Sequence, residues 1–168
     1  MTLMTAMMAA GFTVMPAVFG VSQAQEAPIS VALVNPHFPQ PVTGEERALV
    51  LDVNAERVKH GLAPLADDQN LDRFAYAKAV EMAARGYFGH TDPDGITFQD
   101  RLRSWHWDPM YAAENIAFDR DERHAHAAFM SSAPHARNLL DPNERRIGVA
   151  VVSVGTGETF YVEDFAGD

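Results

Sequence analysis

The sequence predicts an α+β protein in which a β-sheet lies between layers of helices. Helical apolar spacing dominates from about residue 43 to residue 140, and the period changes only near the end of the chain. There, Ile147–Val154 is a continuous run rich in β-branched residues, which is typical of a strand covered on both faces. Helices followed by a hairpin differ from the alternating βαβ order of nucleotide-binding folds, and no glycine-rich phosphate loop is present.

Capping residues predict where the first two helices begin and end. Thr43 and Glu46 have the spacing of a capping box, and the apolar stripe that follows them ends near Gly61. Asp68 is suited to cap a second helix, because its carboxylate can accept from the first free backbone N–H groups. Gly86 stands where a glycine commonly terminates a helix. Both helices are therefore delimited by local chemistry.

Three shorter helices follow. Thr97 with Asp100 predicts the start of the third helix, and Asp119 with Glu122 predicts the start of the fourth. Proline at position 134 favours the first turn of a helix, so a short fifth helix is expected over residues 134–140.

The strands lie mainly at the end of the chain. A turn at Gly155–Gly157 separates the apolar strand Ile147–Val154 from a second strand at Thr159–Phe165. A further short strand is predicted at Asn115–Phe118. The acidic residues beyond Arg146 are interpreted as a solvated face, and they are Glu158, Glu163, Asp164 and Asp168.

Composition excludes several classes of function. The 168 residues suffice for one domain, and 13 basic against 23 acidic residues argue against a nucleic-acid partner, which would require a basic face. The chain contains no cysteine, so thiol nucleophiles, disulfide frameworks and cysteine-ligated zinc are excluded.

The first 24 residues predict a secretory signal peptide. They are uncharged and apolar, and Ser22-Gln23-Ala24 offers small residues to a signal peptidase, so cleavage is expected near Ala24. This places the protein outside the cytoplasm, either secreted or periplasmic. The alternative is an uncleaved N-terminal membrane anchor, which Gly11, Pro16 and the lack of basic flanking residues disfavour. Residues 25–44 contain four prolines and predict an extended segment before the folded domain at 45–168.

Three polar residues stand in apolar or turn surroundings and are the candidate site: His90, Glu114 and His135. Two imidazoles and a carboxylate are a ligand set that can hold a divalent metal with one open position. The same residue types can serve as acid, base and orienting group. They are far apart in sequence, without the spacing of a local metal motif, so a purely structural hydrogen-bonding role is the default.

Other polar and aromatic groups each have a simpler interpretation. Asp92–Gly95 resembles the start of a calcium loop, but a proline turn explains it better. Ser131 and Ser132 near His135 are interpreted as helix-end residues rather than nucleophiles, because no Gly-x-Ser-x-Gly turn surrounds them. Trp105–Trp107 with Tyr111 could stack against sugar rings, although such aromatic side chains more often anchor a loop to the core.

Six short segments occur in order between Glu45 and Phe165. They are Asn54–Leu65, Tyr87–Gly95, Ala113–Ala117, Phe129–Ser132, His135–Leu140 and Ile147–Ala150. Together they resemble the CAP superfamily, also called the SCP or pathogenesis-related-1 domain, and in particular its short secreted bacterial branch. The absence of the eukaryotic disulfides agrees with that branch.

The resemblance implies a three-layer α-β-α sandwich with a central antiparallel sheet. It implies a cleft in which His90, Glu114 and His135 converge and can bind a divalent cation such as Zn²⁺, Mg²⁺ or Ca²⁺, although none is required. The supporting residues assigned to this cleft are Asn115, Ser132 and Asn138. Ser132 stands where eukaryotic members place a second glutamate, so we expect metal binding to be weak or absent without an added partner.

Three functions follow as alternatives. The resemblance favours a non-catalytic secreted binding module over an enzyme, since the family is associated with sterols, fatty acids and other apolar ligands. The expected partner is accordingly an apolar small molecule or a component of the cell envelope. A second hypothesis is a metal-assisted hydrolase of envelope peptides or glycans, with Glu114 as base. A third is a purely structural envelope domain. The oligomeric state stays open at this point.

Overall fold

A computed structural model describes residues 43–155 and 157–168. The predicted signal peptide and the Pro-rich segment as far as residue 42 lie outside the described residues. Within the described part, five helices and four strands are arranged in the order α1 (Gly44–Lys59), β1 (Ala66–Asp67), α2 (Gln69–Arg85), α3 (Phe98–Ser104), β2 (Tyr111–Asp119), α4 (Glu122–Ser131), α5 (Ala133–Leu139), β3 (Arg146–Val154) and β4 (Glu158–Gly167). No helix in this part of the chain is long and apolar enough to cross a membrane.

The strands form one sheet in the order β1-β3-β4-β2. The three long strands are antiparallel, since β4 pairs with β3 on one side and with β2 on the other. The two-residue β1 pairs in parallel with β3 and was not predicted, because so short a strand has no periodicity to detect. The antiparallel core of the sheet is as expected, with one short parallel strand added at its edge.

The two faces of the sheet are covered by different helices. Alternate residues such as Ala150 and Val162 pack with Ala79 and the rest of the inner face of α2. The opposite face packs against α1, α4 and α5, in a cluster that includes Phe129 and Phe165. The long strands are therefore buried on both sides, which confirms the covered strand that the apolar run Ile147–Val154 predicts and the three-layer sandwich that the resemblance implies.

Local capping chemistry set most helix ends as predicted. Thr43 and Glu46 form a complete capping box, and Thr97 forms one with Asp100. Asp68 accepts from two backbone N–H groups at the start of α2, and Gly86 ends that helix with φ of 65°. That left-handed conformation is one that glycine adopts without a side-chain clash.

Two boundaries differ from the prediction. Asp121, and not Asp119, caps α4, where its side chain accepts from the backbone N–H of His124 at 2.9 Å. Asp119 instead ends β2, which is nine residues long rather than the four of Asn115–Phe118. The strand is longer because β4 pairs with it along its whole length, and this pairing is not visible in the local sequence.

One glycine allows α2 to lie directly on the sheet. A Cβ atom at Gly148 would lie 2.1 Å from the carbonyl carbon of Leu71, at the start of α2. Since no side chain fits at that distance, glycine here permits the close contact between the helix and strand β3.

Candidate functional site

The candidate residues meet at one edge of the sheet. Within the described residues β2 pairs only with β4, so β2 is an edge strand of the sheet. Successive side chains of a strand point to opposite faces. Glu114 accordingly lies on the α2 side of the sheet with Ile116, whereas Asn115 faces α5.

His90 is oriented by the buried carboxylate of Glu114. Its Nδ1 lies 3.0 Å from Oε1 of Glu114, whose side chain is 1% exposed, whereas the side chain of His90 is 50% exposed. A carboxylate only accepts hydrogen bonds, so Nδ1–H is the donor and Nε2 is left for a ligand. The other carboxylate oxygen of Glu114 accepts from the guanidinium of Arg101 in α3. Both oxygens of Glu114 are therefore engaged inside the protein.

His135 approaches from the opposite helical layer. Its ring centroid lies 6.5 Å from that of His90, and its ring packs edge-on against Phe129 at 5.4 Å. Burial, and secondarily the nearby His90, lowers the pKa of His135. The imidazole of His135 is thus held neutral at pH 7, and the two histidines present adjacent rings at the sheet edge.

The predicted supporting residues have distinct roles. Asn115 donates to the backbone oxygen of His135 at 3.3 Å, and Asn138 donates to Oδ1 of Asn115 at 2.9 Å. These bonds attach α5 to strand β2 and thereby place His135 beside His90. Ser132 is the N-cap residue of α5, but its side chain makes no capping hydrogen bond.

Two buried cations beneath the site were missed from the sequence. Arg101 pairs with Glu114 and stacks 4.7 Å above the ring of Phe74. Lys78 is fully buried, and its Nζ donates to Oη of Tyr87 at 3.0 Å and to the backbone oxygen of His90 at 3.4 Å. For Lys78 a signal existed, because it lies at helical spacing from the apolar inner residues of α2.

The prediction that the acidic C-terminal residues form a solvated face is wrong for two of them. Glu163 and Asp164 are fully buried in β4, where they pair in register with Asn115 and Glu114. Burial, and then the charge of Glu114, raises the pKa of Asp164 well above its ordinary value. Both residues lie within a predicted strand that is covered on both faces. That position indicates burial, and an interpretation based only on the number of charges did not take it into account.

Burial of Glu163 predicts a specific dependence of stability on pH. Burial raises the pKa of Glu163 to about 8, while the hydrogen bond from Asn115 acts in the opposite direction. Between its ordinary pKa and about 8, the native state keeps a proton that the unfolded state has lost, so stability falls as pH rises. From pH 5 to pH 8 this amounts to about 3 kcal/mol, at ~1.4 kcal/mol per pKa unit.

Glu163→Gln mimics the protonated carboxyl and has no proton to lose. We expect its free energy of unfolding, measured by denaturant titration, to be close to that of the wild type at pH 5. At pH 8 the variant should be more stable than the wild type by about 3 kcal/mol. Parallel pH curves for the two proteins would contradict a buried, proton-binding Glu163.

The arrangement does not form a metal-ligating group. Among residues 43–155 and 157–168, no three histidine, cysteine, aspartate or glutamate side chains are placed to hold a metal ion. Glu114, the acidic member of the predicted set, is bonded to Arg101 and to His90. With both oxygens of Glu114 bonded inside the protein, the three residues as arranged do not offer a complete ligand set for a divalent cation. Cation binding by His90, Glu114 and His135 stays a prediction.

The loop that carries His90 is a turn and not a calcium loop. Oδ1 of Asp92 accepts from the backbone N–H groups of Asp94 and Ile96 at 2.9 and 2.7 Å, and its other oxygen pairs with Arg85. Arg85 also binds Asp94, so this cation at the end of α2 holds the loop in place. The carboxylates that suggested calcium are used to fold the turn.

An aromatic patch adjoins the site on the same face of the sheet. Phe88, two residues before His90, is 55% exposed and lies 6.5 Å from Phe118, which is at the far end of β2 from Glu114. Both rings contact Phe160 of β4. Neighbouring exposed apolar side chains can form part of a binding site.

Comparison with known proteins gives consistent matches. A sequence profile of the Cysteine-rich secretory protein family (CAP) matches residues 51–165. The uncharacterized protein YkwD of Bacillus subtilis (strain 168) is 35% identical over 130 residues, which are 77% of this chain and 49% of that protein. The chain thus spans about half the length of this relative.

Solved structures show the same fold. An extracellular protein containing an SCP domain from Bacillus anthracis str. Ames superposes with a TM-score of 0.67 at 28% identity, over 77% of this chain and 45% of that one. An outer surface protein from Borrelia burgdorferi gives a TM-score of 0.70 at 19% identity, over 76% and 96% of the two chains.

Proposed function

Because the chain belongs to the Cysteine-rich secretory protein (CAP) family, we propose that it is a secreted or periplasmic binding module without catalytic activity. Its binding site consists of His90 and His135, with Glu114 behind them. The extracellular SCP-domain protein among the structural neighbours supports a location outside the cytoplasm, as does the predicted signal peptide at residues 1–24.

The single observation that carries this proposal is the engagement of Glu114 inside the protein. A general base must reach the proton that it removes, with a free lone pair. Glu114 is buried, and its two oxygens are bonded to Arg101 and His90. It therefore acts as an orienting group for His90, which leaves two imidazoles as the ligand-contacting groups.

The ligand that fits this surface has an apolar body and a polar end. Phe88, two residues before His90 in the chain, and Phe118, on the same face of β2 as Glu114, provide exposed aromatic area, and burying such area is favourable at roughly 25 cal/mol per Å². Nε2 of His90 and the ring of His135 provide the polar contacts. An apolar small molecule with a carboxyl or hydroxyl group, such as a lipid of the cell envelope, matches both features.

A second candidate function is hydrolysis of envelope peptides or glycans, and one observation favours it. A histidine whose Nδ1 is held by a buried carboxylate is the geometry of an oriented general base. The base is then His90, not Glu114 as predicted, because Glu114 is out of reach of a substrate. Water would be the nucleophile, since no serine in the described residues is placed as in a nucleophile elbow.

The purified protein is titrated with the fluorescent fatty acid cis-parinaric acid and, separately, with Zn²⁺, Mg²⁺ and Ca²⁺. We expect saturable fatty-acid binding that weakens at least about tenfold, or ~1.4 kcal/mol, in the His90→Ala/His135→Ala variant. His124→Ala is the matched control, because this histidine is exposed on α4, where its backbone N–H joins the helix cap of Asp121. It should bind like the wild type.

Other outcomes discriminate the alternatives. Equal fatty-acid binding by all three proteins would contradict the assigned site. Cation binding at micromolar concentration that is lost only in the double variant would establish the predicted metal site. The wild type could also release soluble fragments from cell-wall preparations. If His90→Ala alone abolishes that release, the protein is a hydrolase and the proposal of a binding module is wrong.

A further inference from the structure

Two cavities flank the segment that joins α3 to β2, away from the histidines. Each holds about 210 Å³. The wall that they share is formed by Leu102, Trp107, Asp108 and Pro109. The first cavity is completed by Leu71, His106, Arg146, Ala166 and Asp168, and the second by Gln99, Arg103 and Ala112. Neither cavity is lined by a residue of the site proposed above.

The backbone before this wall has an unusual conformation. His106 has φ of 57°, and it is the only residue other than glycine with positive φ in the described part of the chain. A left-handed conformation is disfavoured for a residue with a Cβ atom, and it persists only where surrounding contacts enforce it. Here the N–H of Trp107 donates to the carbonyl of Leu102 at 3.0 Å. The strained turn places Trp107 between the two cavities.

The indole of Trp107 is fixed by aromatic contacts. Its ring lies 5.4 Å from that of Phe74 and 5.7 Å from that of Trp105. Phe74 in turn contacts Trp105 edge-on at 5.3 Å. The predicted interpretation of these tryptophans as anchors therefore holds for Trp105, which lines neither cavity. Trp107 has two roles, because it packs on the core and also forms part of the wall of both cavities.

Planar polar groups surround this aromatic wall. The guanidinium of Arg146 is held in the first cavity between Asp68 and Asp168, at 3.0 and 2.9 Å. Asp108 adds an exposed carboxylate shared by both cavities, and Arg103 adds a second guanidinium on the other side. Fixed donors and acceptors at the rim of an aromatic face can bond hydroxyl groups while the indole covers an apolar ring face.

We propose that the two cavities around Trp107 form a binding site for a short saccharide. A pyranose ring has an apolar face of C–H groups and a periphery of hydroxyl groups, which correspond to the indole and to the charged groups at the rim. Each cavity is below the ~300 to 1,000 Å³ of pockets for drug-sized ligands and is suited to a single ring. The site is separate from the histidines and does not depend on the function proposed for them.

The chain contains two tryptophans, so intrinsic fluorescence reports on this region alone. The full chain is titrated with chitotriose, the trimer of N-acetylglucosamine, and the tryptophan emission is recorded. We expect a saturable change at millimolar concentration in the wild type and in Trp105→Phe. In Trp107→Phe the reporting indole is lost, so binding is measured by isothermal titration calorimetry, and the dissociation constant should rise at least about tenfold because only this indole lines the cavities.

A second variant separates binding from folding. Asp108→Ala changes an exposed side chain outside the hydrophobic core, and it should weaken chitotriose binding about fivefold with an unchanged thermal midpoint. The absence of any saturable change in the wild type would overturn the proposal. So would equal losses in Trp105→Phe and Trp107→Phe, since that result would reflect the aromatic cluster and not the cavities.

Discussion

Replacing Arg101 with methionine is expected to lower the free energy of unfolding by about 3 to 5 kcal/mol, the range for breaking a buried ion pair. The loss is large because the carboxylate of Glu114 would keep its burial and lose its principal cation. Methionine retains much of the packing against Phe74 and Phe98, over which the guanidinium lies. The cost would therefore report on charge and not on lost contact area.

A neighbour on the same helix provides the control. Arg103 lies two residues along α3, is 73% exposed and pairs only with Asp100 among the contacts of its side chain. An exposed pair of this kind contributes about 0 to 1 kcal/mol, so Arg103→Met should leave stability nearly unchanged. Denaturant titration measures the free energy of unfolding of both variants, so that the two losses can be compared. Equal effects would show that the pair between Arg101 and Glu114 is not buried in solution.

A double variant tests the pair itself. In Arg101→Met/Glu114→Gln neither charge remains buried alone, so the double variant should be more stable than the sum of the two single changes predicts. The glutamine side chain introduced by Glu114→Gln can still accept from His90, whose ring signals in an NMR spectrum should return toward their wild-type positions. Strict additivity of the two changes would contradict direct coupling between Arg101 and Glu114.

Replacing Arg57 with methionine is expected to cost about 4 kcal/mol or more. The buried guanidinium donates to the backbone oxygens of Ala63 and Leu139, both at 2.9 Å, and of Asp141 at 3.0 Å, and it reaches that of Glu144 at 3.4 Å. The bonds to Leu139 and Glu144 are buried, and hydrogen bonds from a charged group contribute about 1.5 to 3 kcal/mol each. One side chain thus connects α1 to the segments that follow α1 and α5.

Lys59 on the same helix is the matched control. It is exposed and pairs with Glu56 one turn earlier, so Lys59→Met should change the free energy of unfolding by less than about 1 kcal/mol. Because Arg57 holds the end of α5, Arg57→Met should also disturb His135 at the other end of that helix. A small, purely local effect in denaturant titration and NMR would contradict this role.

The helices were predictable because their ends depend on neighbours in sequence. Thr43 and Glu46 form a capping box from residues three positions apart, and Gly86 ends α2 through its own backbone conformation. At the start of α4 the prediction from local chemistry was wrong, because Asp121 caps the helix and not Asp119. Pairing of β2 with β4 decided that boundary, because it drew Asp119 into the strand.

The sequence named the candidate residues His90, Glu114 and His135, but it did not indicate the buried cations beneath them. These three were identified as polar residues in apolar or turn surroundings, and the resemblance to a family whose fold the structural comparison supports then implied that they share one cleft. Arg101 had no such signal, because an arginine in a short amphipathic helix is usually solvated. Its burial depends on how α3 packs against Phe74, which is a long-range contact.

By itself, the sequence determined the α+β class, the helix caps, the covered strand and the family, since each depends on local spacing or on short segments that occur in a set order. Only the tertiary structure decided which charges are buried. Whether Glu163 is a solvated acid or a buried one depends on the layers that cover β4, and a carboxylate taken out of water changes its pKa and its partners. The same packing buries the carboxylate of Glu114 and brings it within hydrogen-bond distance of the ring of His90.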